Sequence, residues 1–463
     1  MTGPSTDIGR DLVVFVDPQS SFKTIATAYP VAADAVRVLT ASVNGKSPFT
    51  MFEDKRGTST PLGVINQKRT AEFSLECYAY LPNRETAPDW ADLLTSGGWT
   101  AVPASGDETS ATGGTTTVIT TADTTNWSVG DCGIFETGLA TGVYEIRRIT
   151  AISAGASFTV SPALQNTPAA GSNILAGILY KPKDAKDTTP DALTMWAFNN
   201  NSADRMIGGV VGSETFSMGG DGAARITFSG TGRRDNRMVQ TTLNAGGTLN
   251  ATDVTFTVSS GGAIPSDASA ANPYYYQMDS ENFEVIGVSG NTVTVSARGV
   301  HAGGGSAATH VDGSLFYPFQ PTGSFAGTPI PATSGSLLVA GAPLQAGSIS
   351  VEVDQGIIYR ENVHGDDYVV DGYVGGMRAV TATLDGWSFY DSTLLEAMDA
   401  RNRTSAQILC QQGESENGIF AVELPTFKIE EPDMDRGGDE VTVSLTGQAV
   451  GTTSEDEIYI MVG

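Results

Sequence analysis

Apolar and polar residues alternate along much of this chain. The alternation is sharpest in "RTAEFSLECY" from Arg69, where Ala71, Phe73, Leu75 and Cys77 take one face and Glu72, Ser74, Glu76 and Tyr78 the other. A period of two sends successive side chains to opposite faces, so this stretch predicts a half-buried β-strand. "RAVTATLDGW" from Arg378 has the same pattern, and "SVEVDQ" from Ser350 sets Glu352 and Asp354 opposite its valines. Helical periodicity is confined to two short runs, "PDWADLLTS" from Pro88 and "DSTLLEAMDARNR" from Asp391. In the second, Asp391 or Ser392 can cap the start, and Arg401 and Arg403 suit the C-terminal dipole. The fold class expected is mainly β, with a short helix at each of two places.

The two helical runs sit in matching surroundings. Aligning the strands before them puts Ala71, Phe73 and Leu75 over Val380, Ala382 and Leu384, and Glu72, Ser74 and Glu76 over Thr381, Thr383 and Asp385. Inward and outward faces agree, as a shared register requires. Farther on, "ETFSMGGDGAARITFSGTG" from Glu214 parallels "PTFKIEEPDMDRGGDEVTVSLTG" from Pro425, with Phe216 on Phe427 and Phe228 on Val443. Two domains of one design follow, residues 34–104 with 181–238 and residues 326–463. The intervening stretches repeat as well: "TTTVIT" and "YEIRRITAISAGASFTVSPAL" within 105–180 parallel "DVTFTV" and "FEVIGVSGNTVTVSARG" within 239–325. Both read as small glycine-rich β-modules, poor in core material, that project outward from the domains. Residues 1–33 stand apart as an N-terminal extension, in which "DLVVFVDPQSSF" suits either an arm between subunits or a first strand.

Composition narrows the function classes. The 463 residues carry 52 acidic and 26 basic side chains, a formal charge of −26. Such an excess repels phosphate backbones and anionic lipid, and the cations occur only in short pairs such as Lys55-Arg56, Lys68-Arg69 and Arg233-Arg234. Any assembly must overcome self-repulsion with directional contacts, and strand pairing supplies these. Cys77, Cys132 and Cys410 are too few and too scattered for a disulfide framework or a CxxC metal knuckle, and their small or apolar neighbours predict buried thiols. The start "MTGPSTDIGR" lacks the basic and apolar segments of an export signal, and no apolar run reaches the roughly 20 residues of a membrane span. Synthesis in a cytoplasm is expected.

The order of these elements resembles a known family. A strand, a long polar loop containing "KRGT" and "QKRT", an alternating strand running into "YLP", the "APDWADLL" helix and a closing "ITFSGTG" hairpin are similar to bacteriophage tail tube proteins. Two copies of the plan resemble the tube proteins of long non-contractile tails that fuse two tube domains in one chain. The resemblance implies two tube-type β-sandwich domains, three chains per pseudo-hexameric ring, and rings stacked into a virion tail tube through which DNA passes without tight binding. It also implies partnership with tape measure, tail terminator and tail tip proteins. The two inserted modules depart from the family plan.

Within that resemblance the scarce cations acquire a purpose. The family's long loop reaches the neighbouring ring, so Lys55, Arg56, Lys68 and Arg69 are the candidate stacking residues. Glu72, Glu76, Glu352, Asp354 and Asp385, on the outward faces of alternating strands, are the candidate channel lining, whose charge would repel DNA phosphates. No enzyme signature competes with this reading. His301, His310 and His364 lie in turn-like contexts without metal-site spacing and are expected at the surface. The run "EPDMDRGGDE" lacks EF-hand spacing and reads as a turn, and "GGDG" and "HAGGG" have no following helix to make a phosphate cradle. No cofactor and no metal are expected. The alternative is a surface β-repeat adhesin or a carbohydrate-binding or carbohydrate-active protein.

Overall fold

The computed structural model describes residues 12–19, 22, 29–51, 63–103, 106–137, 142–184, 190–219, 222–299, 305–360, 364–365, 367–369, 371–388, 405–430, 433–435, 442–452 and 455–463. The protein is mainly β, and its largest sheet curls into a half-barrel. Among the described residues there is one α-helix, α1 (Ala91–Ser96), shorter than the run from Pro88 suggested. The second helical run, with Asp391, Arg401 and Arg403, lies outside the described residues.

The first half of the fold contains β1 (Val13–Pro18), β2 (Thr40–Lys46), β3 (Phe49–Met51), β4 (Val64–Asn66), β5 (Thr70–Tyr78), β6 (Leu193–Asn199), β7 (Ser202–Gly219), β8 (Arg225–Gly232) and β9 (Arg234–Val239). The second contains β10 (Gly335–Val339), β11 (Ser348–Asp354), β12 (Ile357–Tyr359), β13 (Gly372–Val374), β14 (Ala379–Ser388), β15 (Ser405–Ser415), β16 (Gly418–Ile429), β17 (Asp433–Asp435), β18 (Thr442–Ala449) and β19 (Tyr459–Val462). In the first half β1 pairs with β6, β6 with β7, β7 with β8 and β9, β8 with β5, and β5 with β2. The second half repeats this: β10 pairs with β15, β15 with β16, β16 with β19, β16 and β17 with β18, β18 with β14, and β14 with β11. A final pairing, β7 with β11, joins the halves. The result is one sheet in the order β2-β5-β8-β7-β11-β14-β18-β17. Its apolar face, including Phe73, Leu75, Phe216, Phe228, Val351, Val353 and Leu384, shares a core with Leu93 and Leu94 of α1 and with Trp90 and Trp99.

Three expectations need correction at this level. Residues 13–18 are the first strand, held along their length against β6, and so belong to the first half instead of a separate extension. Phe228 stands opposite Leu75 as Leu445 stands opposite Leu384, so Phe228 superposes on Leu445 and not on Val443. Phe216 opposes Ile226 whereas Phe427 opposes Ala449, so these two phenylalanines occupy different rungs. Both slips preserve the side-chain face, because matching short Thr-Gly motifs by identity conserves parity without counting rungs. The register of β5 on β14 stands as aligned: Thr40 faces Glu76 just as Ser348 faces Asp385.

The inserted modules share one topology. In the first, strands 118–120, 157–161, 144–153, 132–136 and 173–182 lie side by side in that order; in the second, 255–257, 292–298, 281–289, 274–278 and 315–318 do the same. Neither is poor in core, and neither stands free. The first has its own cluster around Trp127, Phe135, Phe158 and Ile174. A second cluster seals it to the outer sheet of the second half through Ile134, Ile146 and Leu175 against Leu338, Leu409, Ala421 and Met461. The second module buries Tyr274, Tyr276, Phe283 and Phe316 with Phe15, Trp196, Ala203 and Met238 of the first half. Register makes the two seats equivalent: Phe15, Trp196, Arg205 and Asn236 form one line across β1, β6, β7 and β9, and Leu338, Leu409, Glu423 and Tyr459 the same line across β10, β15, β16 and β19. The expectation that the modules project outward therefore fails, because exposing these sheets would leave large apolar surfaces in water.

Candidate channel face and stacking loop

All five candidate channel residues lie on the face of the curled sheet opposite its core. Glu72, Glu352, Asp354 and Asp385 are exposed and Glu76 is half-buried. The pairing registers set them in lines of polar side chains running across strands. One line is Thr40, Glu76, Thr227, Thr215, Glu352, Thr381 and Gln448. A second is Ser42, Ser74, Ser229, Ser213 and Asp354, and a third is Tyr78, Arg225, Ser217, Ser350, Thr383 and Thr446. Hydroxyls predominate, linked in places across strands: Ser229 Oγ donates to Ser74 Oγ at 3.4 Å, and the Thr383 and Thr446 hydroxyls lie 3.4 Å apart. Sequence reading found the carboxylates but not the hydroxyl lines, because strand order and register across the two halves are needed to assemble them.

The charge on this face is partly internal. Glu72 is ion-paired with Lys46, and Glu76 accepts from Arg225 NH1 at 3.1 Å and from Thr40 Oγ1 at 3.5 Å. Asp385 accepts from the Ser444 hydroxyl, and Asp354 from the Gly356 N–H at 2.9 Å. Lys428, exposed and opposite Gln448, adds a third cation to the face. A cross-strand pair satisfies both charges locally, so Glu72 and Glu76 present less field to the open side than sequence counting gave them.

Of the candidate stacking residues, Lys55 and Arg56 lie outside the described residues. Lys68 is half-buried and Arg69 exposed. The Arg69 N–H donates to Asp367 O at 2.9 Å, which ties it to the loop between β12 and β13 of the other half. More conspicuous is the ribbon that carries them: β3 and β4 pair only with each other among the described strands, and Phe49, Met51, Val64 and Ile65 are each more than half exposed. The equivalent ribbon, β12 with β13, lies instead on the first half, where Ile357 and Tyr359 pack with Phe22, Ala192, Val210 and Val369. The loop was read as polar and cationic; its strands carry exposed apolar side chains.

Two buried polar groupings escaped the sequence reading. At the junction of the halves, Glu214 on β7 is fully buried and accepts from Trp99 Nε1 at 3.4 Å and Gln355 Nε2 at 2.9 Å. Gln355 Oε1 takes 2.8 Å from Arg378 Nε, and Arg378 NH1 reaches Glu455 at 2.9 Å and Glu457 at 2.8 Å. Burial pushes the Glu214 carboxyl up to about 8 despite these donors. Under the first module, Glu423, with no exposed side-chain surface, holds Arg148 through two bonds of 3.1 Å. Arg205, its register equivalent, donates to Pro273 O at 3.2 Å and lies 3.9 Å over the Tyr274 ring of the second module.

The other candidate chemistry resolves into structure. His310 is buried, against expectation, with Nδ1 2.8 Å from Asp279 and Nε2 2.8 Å from Glu281, which also binds Arg298. His364 is exposed and His301 lies outside the described residues. Cys77, Cys132 and Cys410 are buried free thiols. Asp433–Asp435, expected in a turn, form strand β17. Among the described residues no cluster of three or more His, Cys, Asp or Glu side chains is placed to hold a metal ion, and no helix is long and apolar enough to cross a membrane. No known protein-family model matches the chain, and no curated protein matches it.

Proposed function

We propose that this chain is a structural virion protein. Three copies close edge to edge into a ring around a channel, and rings stack into the tail tube that conducts the genome into the host. The observation that carries the reading is the β7–β11 pairing, which fuses two halves of equal connectivity into one curled sheet with a polar face and, among the described strands, an unpaired edge at each end, β2 and β17. A monomer has little use for such a sheet, since exposed edges invite pairing and natural proteins cover them. Pairing of edges between copies would remove both.

The face then does the work of a conduit. Hydroxyls and amides are hydrated and offer no fixed cation for a phosphate, and Glu352, Asp354 and Asp385 add repulsion over a Debye length of about 8 Å in physiological salt. DNA would pass without being held. Stacking falls to the β3–β4 ribbon, whose apolar side chains are the kind that dock into a neighbouring surface, with Lys55, Arg56, Lys68 and Arg69 supplying charge contacts. The tape measure, terminator and tip proteins are the partners such a tube requires, and no cofactor enters. Negative-stain electron microscopy of the purified full-length protein tests the proposal. Rings or tubes are expected; monodisperse monomers at every concentration would overturn it.

A further inference from the structure

We infer that the chain holds a saccharide site: a single neutral pyranose fits the cavity where the first half, the second module and the loop between β12 and β13 meet. The cavity lies within one copy and so owes nothing to ring formation. Its volume is about 260 Å³, and its walls include Lys46 of β2, Arg69, Asp235 and Arg237 of β9, Asp267 of the second module and Tyr368 of the second half. That is room for one sugar ring, since pockets for drug-sized ligands begin at about 300 Å³. Hydrogen bonds on the module side fix the wall. Tyr274 donates its hydroxyl to Asp267 at 2.7 Å, and the Asn236 amide nitrogen donates to Tyr274 Oη at 2.7 Å and to Asp267 at 3.3 Å. With its nitrogen committed there, Asn236 keeps its carbonyl oxygen as an acceptor on the cavity wall.

Asp235 is the group that the protein leaves unsatisfied. It accepts the main-chain N–H groups of Asn236 and Gly45, yet its Oδ1, shielded from solvent, has no hydrogen-bond partner. Burial, with the Asp204 charge beside it, pushes this carboxyl up to about 7, so near neutrality it donates as well as accepts. Arg237 gives Nε and Nη2 to Asp204 at 2.7 and 3.5 Å, which leaves Nη1 to donate. Charge then selects the ligand class. Lys46 is paired with Glu72 and Arg237 with Asp204, and Arg69 stands against Asp235 and Asp267. Neither a phosphate nor a metal ion finds a surplus of opposite charge. A sugar hydroxyl needs none, because each donates and accepts, and fixed carboxylate, amide and guanidinium groups meet neighbouring hydroxyls in pairs. Tyr368 adds an aromatic ring with a polar tip, an amphipathic surface suited to the C–H face of a pyranose.

Isothermal titration of the full-length protein with D-glucose, D-galactose and N-acetyl-D-glucosamine tests the site. At least one should bind with Kd about 1 mM, the range that a few hydrogen bonds to one small ring support. Ser266 lines the cavity, is exposed and makes no hydrogen bond among the described residues. Ser266→Trp therefore fills the cavity without removing a partner, and should raise that Kd at least tenfold while the thermal melt stays unchanged. Arg69→Ala should weaken binding severalfold, with no ion pair among the described residues lost. The methyl glycoside of the sugar that binds separates two sources: equal affinity assigns the site to a glycan end, and lost affinity to a free sugar. Failure of all three sugars to bind at tenfold higher concentration, or binding that Ser266→Trp leaves intact, would overturn the site. So would tighter binding of inorganic phosphate or Ca²⁺ in the same cell. Rings and tubes are scored separately, by electron microscopy of the same sample, so neither result stands in for the other.

Discussion

Glu214 shows how much one buried side chain can load onto a junction. Its carboxyl is raised by burial from 4.5 to about 8, so the folded chain keeps a proton there that the unfolded chain releases above its ordinary range. The stability linked to that proton is full at acid pH and lost as pH climbs from about 4.5 through about 8. The slope integrates to something on the order of 5 kcal/mol. Denaturant melts between pH 5 and 9 should therefore show wild type weakening as pH rises, and Glu214→Gln, which cannot ionise, should show a flatter profile whatever its absolute stability. Equal slopes would place the carboxyl's titration elsewhere. Glu423 is the opposite case, a buried charge with its partner in place. Removing Arg148 by Arg148→Ala should cost about 3–5 kcal/mol, because an uncompensated carboxylate remains under the first module. An urea titration measures it.

Among elements, the inserted modules change most between sequence and structure. As an outward projection, the first module, near residues 114–180, would be removable with assembly left intact. The packing of that module predicts the opposite outcome. The first module leaves the first half through Trp99–Val102 and returns along Asn173–Pro182, which pairs with β19, and it covers Leu338, Leu409, Ala421 and Met461 of the second half. Cutting it out should yield insoluble protein or a strongly lowered melting temperature, and a soluble, ring-forming deletion would show that the seat tolerates water. The β3–β4 ribbon behaves differently because Phe49, Met51, Val64 and Ile65 are each more than half exposed and its strands pair only with each other among the described residues. Replacing these four by Ser should leave the thermal melt within a few degrees and still abolish stacking, so light scattering would report rings without tubes. Changing Lys68 and Arg69 to Ser should shorten tubes only modestly, since an exposed pair contributes at most about 1 kcal/mol.

For the whole molecule the question is what a chain of net charge −26 does with its acid. On the polar face Glu72 and Glu76 are paired, whereas Glu352, Asp354 and Asp385 have no ion-pair partner among the described residues. Neutralising these last three to Asn or Gln should leave ring formation unchanged, because main-chain ladders hold the sheet. It should raise retention of short duplex DNA by assembled tubes at low salt, an effect that disappears in high salt as screening sets in. Neutralising Glu72 and Glu76 instead should release Lys46 and Arg225 and raise DNA retention more, a contrast that a filter-binding assay can rank.

Alternation alone established that strands dominate, that Phe73, Leu75, Val351 and Val353 point inward, and that two stretches of chain follow one plan, because side-chain direction in a strand depends only on parity along the backbone. It could not decide rungs, and so misplaced Phe228 by two. Nor could it decide what lies across a sheet. Whether Glu76 meets Arg225, whether Glu423 meets Arg148, and whether a glycine-rich insertion stands in solvent or seals the other half all depend on residues far apart in the chain. These meet only when strands pair and layers pack. The joining of two repeats into one curled sheet is of the same kind: the β7–β11 ladder is held by main-chain groups that every residue carries, which leave no mark in the sequence, and only the tertiary fold selects which edges meet.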